Sequence, residues 1–151
     1  MNKHETFMKL AETLSELGTC NRLNVGVVLV NDLNQVIASG YNGNPKGMPH
    51  CNDIGCNLYH GHCISAIHAE ENAILQCAMT NVSCLGTVMD TTHLPCYHCC
   101  LRIIQARIYK VIYKQEYGTF DSVKFLNHHW IKCLRLDYLD LKPTIFTFGE
   151  E

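Results

Sequence analysis

Apolar residues near the start of the chain recur at three- and four-residue spacing: Phe7, Leu10, Ala11, Leu14 and Leu17. That period predicts an amphipathic helix over residues 4–18, stopped by Gly18. The pattern then shortens. Val25 to Val30 is a β-rich run, the turn-forming Asn31-Asp32-Leu33-Asn34 follows, and Gln35 to Gly40 completes a predicted hairpin. Residues 41–61 carry Gly, Pro, Asn and Cys without a period, and they are too many for an ordinary connection, so something must tie them down. A second helix is predicted over 65–80, with Ala69, Ala73, Ile74 and Cys77 on its buried face. Strands over 86–90, 110–113 and 134–139 alternate with helices over 96–107 and 121–128. The order α-β-β-α-β-α-β-α-β predicts an α/β domain, a mixed sheet with helices on its faces, and at 151 residues one domain spanning 1–151.

Composition narrows the partners. Twelve Lys and Arg stand against 14 Asp and Glu, a net charge of -2. No strongly basic face is available to track a polynucleotide backbone, so nucleic acid is not expected and a small-molecule substrate is. The opening Met1 to Leu17 lacks the apolar core of a signal peptide, and no apolar run approaches the roughly 20 residues of a membrane span. A cytoplasmic chain, in the host's cytoplasm if viral, is expected. Its thiols stay reduced, so ten Cys and nine His are read first as metal ligands.

Two motifs carry the chemistry. His68-Ala69-Glu70 opens the second helix, and Pro95-Cys96-Tyr97-His98-Cys99 opens the third. Cys96 and Cys99, three apart, share a helix face, and a helix N-terminus favours thiolates. With His68 they make a three-ligand zinc site whose fourth position stays open for water, a catalytic pattern rather than a structural one. Glu70 stands two residues from His68, and in mid-helix the two would diverge by about 200°. Both face one pocket only at the first turn. So placed, Glu70 is free of the metal and shuttles protons. The pattern H-x-E…P-C-x-x-C is the known signature of zinc nucleobase deaminases; the bland reading is a zinc knuckle with Glu70 as a surface carboxylate.

Beyond these motifs, residues 5 to 140 resemble the deoxycytidylate deaminase branch of the cytidine deaminase superfamily. The resemblance rests on VGVVLV, SGYNGNPKGMPHC, GHCISAIHAEENAILQ, TTHLPCYHC and YKVIY ahead of EYG. It implies a three-layer α/β/α cytidine deaminase-like fold with a five-stranded sheet. It also implies zinc-dependent hydrolysis of dCMP to dUMP and ammonia, feeding thymidylate synthesis, in a homohexamer regulated by dCTP and dTTP with Mg. It assigns Asn42 a hydrogen bond to the deoxyribose and the Ala69 N–H a bond to the base carbonyl. Tyr117 is either a pocket wall near sugar or phosphate or a loop aromatic over the sheet edge; Thr92 either lines the pocket or caps a turn.

Cys20, Cys51, Cys56 and Cys63, with His60 and His62, surround the long loop. A second, closed zinc is expected there, or else buried free thiols. Relatives with such a zinc use cysteines matching Cys20 and Cys51, and some add a carboxylate where this chain has Ala66. The remaining ligands are then Cys56 and either Cys63 or His62. Cys77 and Cys133 read as core. For a regulatory nucleotide, the amides of Asn42, Gly43 and Asn44 offer an anion nest, with Arg22 and Lys46 as nearby cations. Regulated relatives often carry an arginine where this chain has Met79. Two other functions compete: a zinc deaminase of another substrate (dCTP, cytidine, guanine, or a base in nucleic acid), and a non-catalytic zinc module such as a DNA-uptake or assembly factor.

Overall fold

Five strands form one mixed sheet whose polarity follows from its connections. The computed structural model describes residues 2–60 and 62–139, and for His62 the backbone alone. Helix α1 (Lys3–Ser15) leads into β1 (Gly26–Val30) and β2 (Val36–Tyr41). A tight turn joins these two strands, with Asn34 in the left-handed region at φ 62°, so they pair antiparallel. The long loop then runs through a single helical turn, α2 (Cys51–Ile54), and a small hairpin of β3 (Leu58–Tyr59) and β4 (His62–Cys63). Helix α3 (Ala69–Thr80), β5 (Val88–His93), α4 (Tyr97–Gln105), β6 (Lys110–Gln115), α5 (Ser122–His128) and β7 (Lys132–Arg135) complete the domain. The sheet order is β2-β1-β5-β6-β7. β5, β6 and β7 are parallel because helices α4 and α5 carry the chain back between them.

The sheet is the middle of three layers, as expected. Helix α1 covers one face, where Ala11 packs on Val28 and Val30. Helices α3, α4 and α5 cover the other, burying Val27, Leu29, Met89, Val111, Ala73, Ile103 and Leu126 in one core. β1 is therefore buried on both sides, which explains its unbroken apolar run. Two glycines set the spacing of the layers. A Cβ at Gly26 would stand 1.8 Å from the Ala11 carbonyl oxygen of α1, and one at Gly40 would stand 2.2 Å from the Ala69 carbonyl oxygen of α3. Backbone meets backbone at both places, so no side chain fits.

The elements differ from the sequence pattern in four respects. The buried stripe of α1 is His4, Met8 and Ala11, with Phe7 and Leu14 partly buried, while Leu10 and Leu17 are exposed. The stripe turns because His4 is drawn inward: its Nδ1 lies 3.1 Å from both carboxylate oxygens of Asp90, in the middle of β5. Helix α3 starts at Ala69 rather than 65, because His68 has an extended ψ of 152°. The last strand lies at Lys132–Arg135, two residues early, and gives way to a 3₁₀ turn, Leu136–Tyr138. Residues 51–54, expected as loop, hold α2, and the hairpin begins at Leu58 inside the expected loop and ends just past it at Cys63. No described helix is long and apolar enough to cross a membrane.

Candidate active site

Helices α3 and α4 begin on the same face of the sheet, and their N-termini bring the two motifs together. His68 is the N-cap of α3 and Cys96 the N-cap of α4, both extended, and neither closes its helix end with a side-chain bond. The positive ends of both helices are thus left to whatever the caps hold. His68 Nδ1 lies 3.5 Å from Cys96 Sγ and 3.3 Å from Cys99 Sγ. Tetrahedral zinc with ordinary Zn–N and Zn–S bonds separates its N and S ligands by about 3.6 Å. The three atoms already stand at that spacing, and the residues fit the ion. Among the described residues, no fourth Cys, His, Asp or Glu ligand atom joins the group.

The first-turn demand on Glu70 is met. With His68 outside the helix and Glu70 inside its first turn, both turn to one place: Glu70 Oε2 is 3.6 Å from Cys99 Sγ, and the residue is 5% exposed. Burial pushes its carboxyl up to about 7. The hydrogen bond from Cys99 holds the Cys96 thiol down to about 3 and pushes Cys99 up, and the bond to Cys96 raises His68 to about 9. Negative charge gathers on the Cys96 sulfur, and a bound cation would displace the proton that Cys99 keeps.

Around this centre the remaining residues fall into place. Ala69 is fully buried at the first position of α3, where an amide has no partner within its own helix. The Asn42 side chain is buried and engaged twice: Oδ1 accepts from Val25 N at 2.7 Å and Nδ2 donates to Leu23 O at 2.6 Å. One lone pair and one N–H of that amide have no further partner among the described residues. The Thr92 hydroxyl accepts from Gly26 N at 3.1 Å and lies 2.8 Å from His93 Nδ1. Tyr117 is 41% exposed, edge-on to His93 with centroids 6.4 Å apart. His93 was not singled out from the sequence; a histidine two residues before Pro95, at the end of the run Val88-Met89-Asp90-Thr91-Thr92, was the available signal.

The second cysteine cluster also assembles. Ligand atoms of Cys20, Cys51 and Cys56 lie within 4.8 Å of one another. Cys20 and Cys56 sulfurs are 3.9 Å apart, Cys51 and Cys63 sulfurs 3.6 Å apart. The sulfur–sulfur edge of a zinc tetrahedron is about 3.8 Å. The His62 side chain lies outside the described residues. Asn44 is built into this loop, its amide donating to Pro49 O while its Oδ1 meets the Cys51 thiol at 3.4 Å. Gly43 pairs with Ile67, Lys46 is exposed, and Met79 points outward. Cys77 and Cys133 are core residues, as read.

Comparison with known proteins agrees with this geometry. Residues 1–115 match the family described as the cytidine and deoxycytidylate deaminase zinc-binding region. ComE operon protein 2 of Bacillus subtilis is 45% identical over 116 residues, covering 77% of this chain and 61% of that protein. Deoxycytidylate deaminase of Saccharomyces cerevisiae is 36% identical over 144 residues, covering 89% of this chain and 45% of that protein. The chain thus spans about half the length of these curated relatives. The crystal structure of dCMP deaminase from the cyanophage S-TIM5 in complex with dCMP and dUMP superposes with a TM-score of 0.78 at 33% identity, covering 87% of this chain and 95% of that one. With the motif residues converging at two helix ends on a sheet of this order, the chain belongs to the cytidine and deoxycytidylate deaminase zinc-binding family.

Proposed function

We propose that this protein hydrolyses dCMP to dUMP and ammonia. The observation that carries the reading is the buried Glu70 carboxylate beside the His68, Cys96 and Cys99 ligand set. The likeness to a deaminase complexed with dCMP and dUMP supports the choice of substrate. When bound, a zinc ion with three protein ligands supplies the Lewis acidity that makes water nucleophilic near neutral pH. Glu70 takes one proton from the attacking water and delivers it to N3 of the cytosine ring. It then passes the second to the 4-amino group, which leaves as ammonia. Both new N–H bonds come from the one water, and Glu70 ends the cycle as it began. The Ala69 amide is suited to the base carbonyl, and Asn42 with Tyr117 to the sugar-phosphate end.

Ammonia release from dCMP, dCTP, cytidine and guanine, measured side by side, tests this. Turnover highest on dCMP is expected; a preference for any of the other three replaces the substrate, and no turnover on any points to a non-catalytic module. Cys20, Cys51, Cys56 and Cys63 are the proposed ligands of a second, structural zinc. A triphosphate effector with Mg would meet the Asn44 amide and Lys46; the Gly43 N–H, expected to join them, is bonded to Ile67 O, and the Asn44 side chain is already spent inside the loop. Titrating dCTP or dTTP at sub-saturating dCMP tests that site, and a flat rate removes it. A homo-oligomer, a hexamer by likeness, is checked by sedimentation.

A further inference from the structure

His93 is a polar side chain beside the candidate site that the proposed reaction leaves idle. It ends β5, three residues before Cys96. Side chains alternate along β5: Asp90 turns toward α1, where it meets His4, while Met89 turns into the core beneath α3 and α4. The pleat places His93 with Met89, on the face where both motif helices begin. Its backbone pairs with Gln115 of β6, and its ring stands against Tyr117 just past the end of that strand. Two rings with polar edges therefore flank the carboxyl ends of neighbouring strands.

The hydrogen bonds around Nδ1 leave Nε2 as the free edge of His93 among the described residues. The Thr92 hydroxyl accepts from Gly26 N, and among the described residues its single proton has no acceptor other than Nδ1 of His93, 2.8 Å away. Partial burial favours the neutral ring. Nδ1 then accepts and the proton sits on Nε2, which has no hydrogen-bond partner among the described residues. The base end of a nucleotide is claimed by the buried ligand set and Glu70, so its sugar and phosphate extend toward the more open rim where Tyr117 is exposed. Three cations of the surrounding elements have carboxylate partners: Arg102 pairs with Glu71, Lys114 with Glu12, and Arg135 with Glu116 and Asp137.

We propose that His93 is a substrate-positioning residue whose Nε2–H, beside Tyr117, donates to a phosphate oxygen of the mononucleotide. The proposal rests on the deaminase reading. His93→Ala and His93→Gln, loaded with zinc, are compared with wild type on dCMP and on deoxycytidine; Gln returns an N–H near the position of Nε2. The expected result is an Ala variant with KM for dCMP raised about tenfold and kcat within about twofold. Its preference for dCMP over deoxycytidine falls by a similar factor, and Gln recovers most of the loss. Equal losses on the two substrates overturn the proposal, as does a fall in kcat at unchanged KM or a Gln variant no better than Ala. Calorimetric affinity for dUMP against deoxyuridine gives the same comparison without turnover. If wild type releases no ammonia from dCMP, the deaminase reading fails; if His93→Ala then still loses dUMP affinity selectively, the contact stands.

Discussion

Glu70 and His68 are two residues apart, a spacing that scatters side chains in mid-helix and gathers them here only because His68 stays outside the helix as its N-cap. The carboxylate touches the Cys99 sulfur from a buried position without completing the ligand group, so its role is separable from metal binding. Glu70→Gln keeps the shape and removes the proton carrier. Zinc content should stay at the wild-type value while turnover on dCMP falls on the order of 10⁴-fold. Metal lost along with activity would make Glu70 a ligand, and a near-normal rate would remove it from the chemistry. Among the described residues Asp90 is the other buried acid, and it serves the fold. Burial raises its carboxyl above the ordinary aspartate range, with His4 pulling the other way. A raised folded value means that the native state takes up the proton first as pH falls, so this group's contribution to stability grows on acidification and is lost as pH rises through its folded range. Asp90→Asn abolishes that contribution. In urea titrations from pH 4 to 7, the stability of the variant relative to wild type should improve as pH rises, and parallel curves for the two proteins would refute the assignment.

At the scale of elements, the motif helices were the most legible part of the sequence. His68-Ala69-Glu70 and Pro95 to Cys99 declare helix starts through ligand chemistry as well as pattern, and both helices begin within a few residues of expectation. What stayed hidden depends on distant partners. His4 does not read as an apolar residue, so the true stripe of α1 becomes visible only with Asp90 in place. The hairpin β3-β4 has no alternating run to announce it, with two residues per strand and Cys63 at its end 3.6 Å from the Cys51 sulfur. Gly26 and Gly40 read as breaks in good strands, yet each is where a helix backbone presses on the sheet. Gly40 bears on the site directly, since the atoms it faces, Ala69 O and Ala73 N, belong to the first two turns of α3. Gly40→Ala should cost about 1–3 kcal/mol in stability. It should also lower kcat/KM on dCMP by displacing His68 and Glu70, as shifts near 1 Å do in catalytic sites. An Ala variant with wild-type stability and rate would show that the approach is loose.

On the scale of the whole molecule, the two cysteine clusters belong to one continuous piece of architecture. Thr19, next to Cys20, donates its N–H to Asn42 O at 3.1 Å and accepts from Asn52 N at 3.2 Å, beside Cys51. Gly43, next to Asn42, exchanges two backbone bonds with Ile67, the residue before His68. A long loop without apolar periodicity is thus fastened at one end to the second cluster and at the other to the candidate active site. Closing that cluster with a metal would remove conformational freedom from residues 43–67, where few buried apolar side chains do so. The paired substitution Cys51→Ser with Cys63→Ser should therefore leave one zinc per chain in place of two. Backbone hydrogen exchange should speed up across 43–67 while the core strands β1, β5 and β6 keep their protection. Activity on dCMP should drop by less than the loss in Glu70→Gln, because the ligands His68, Cys96 and Cys99 remain. One zinc per chain already in wild type would reduce the cluster to four thiols held together by packing. Unchanged exchange in a variant that has lost a zinc would mean that the loop is tied by its hydrogen bonds alone.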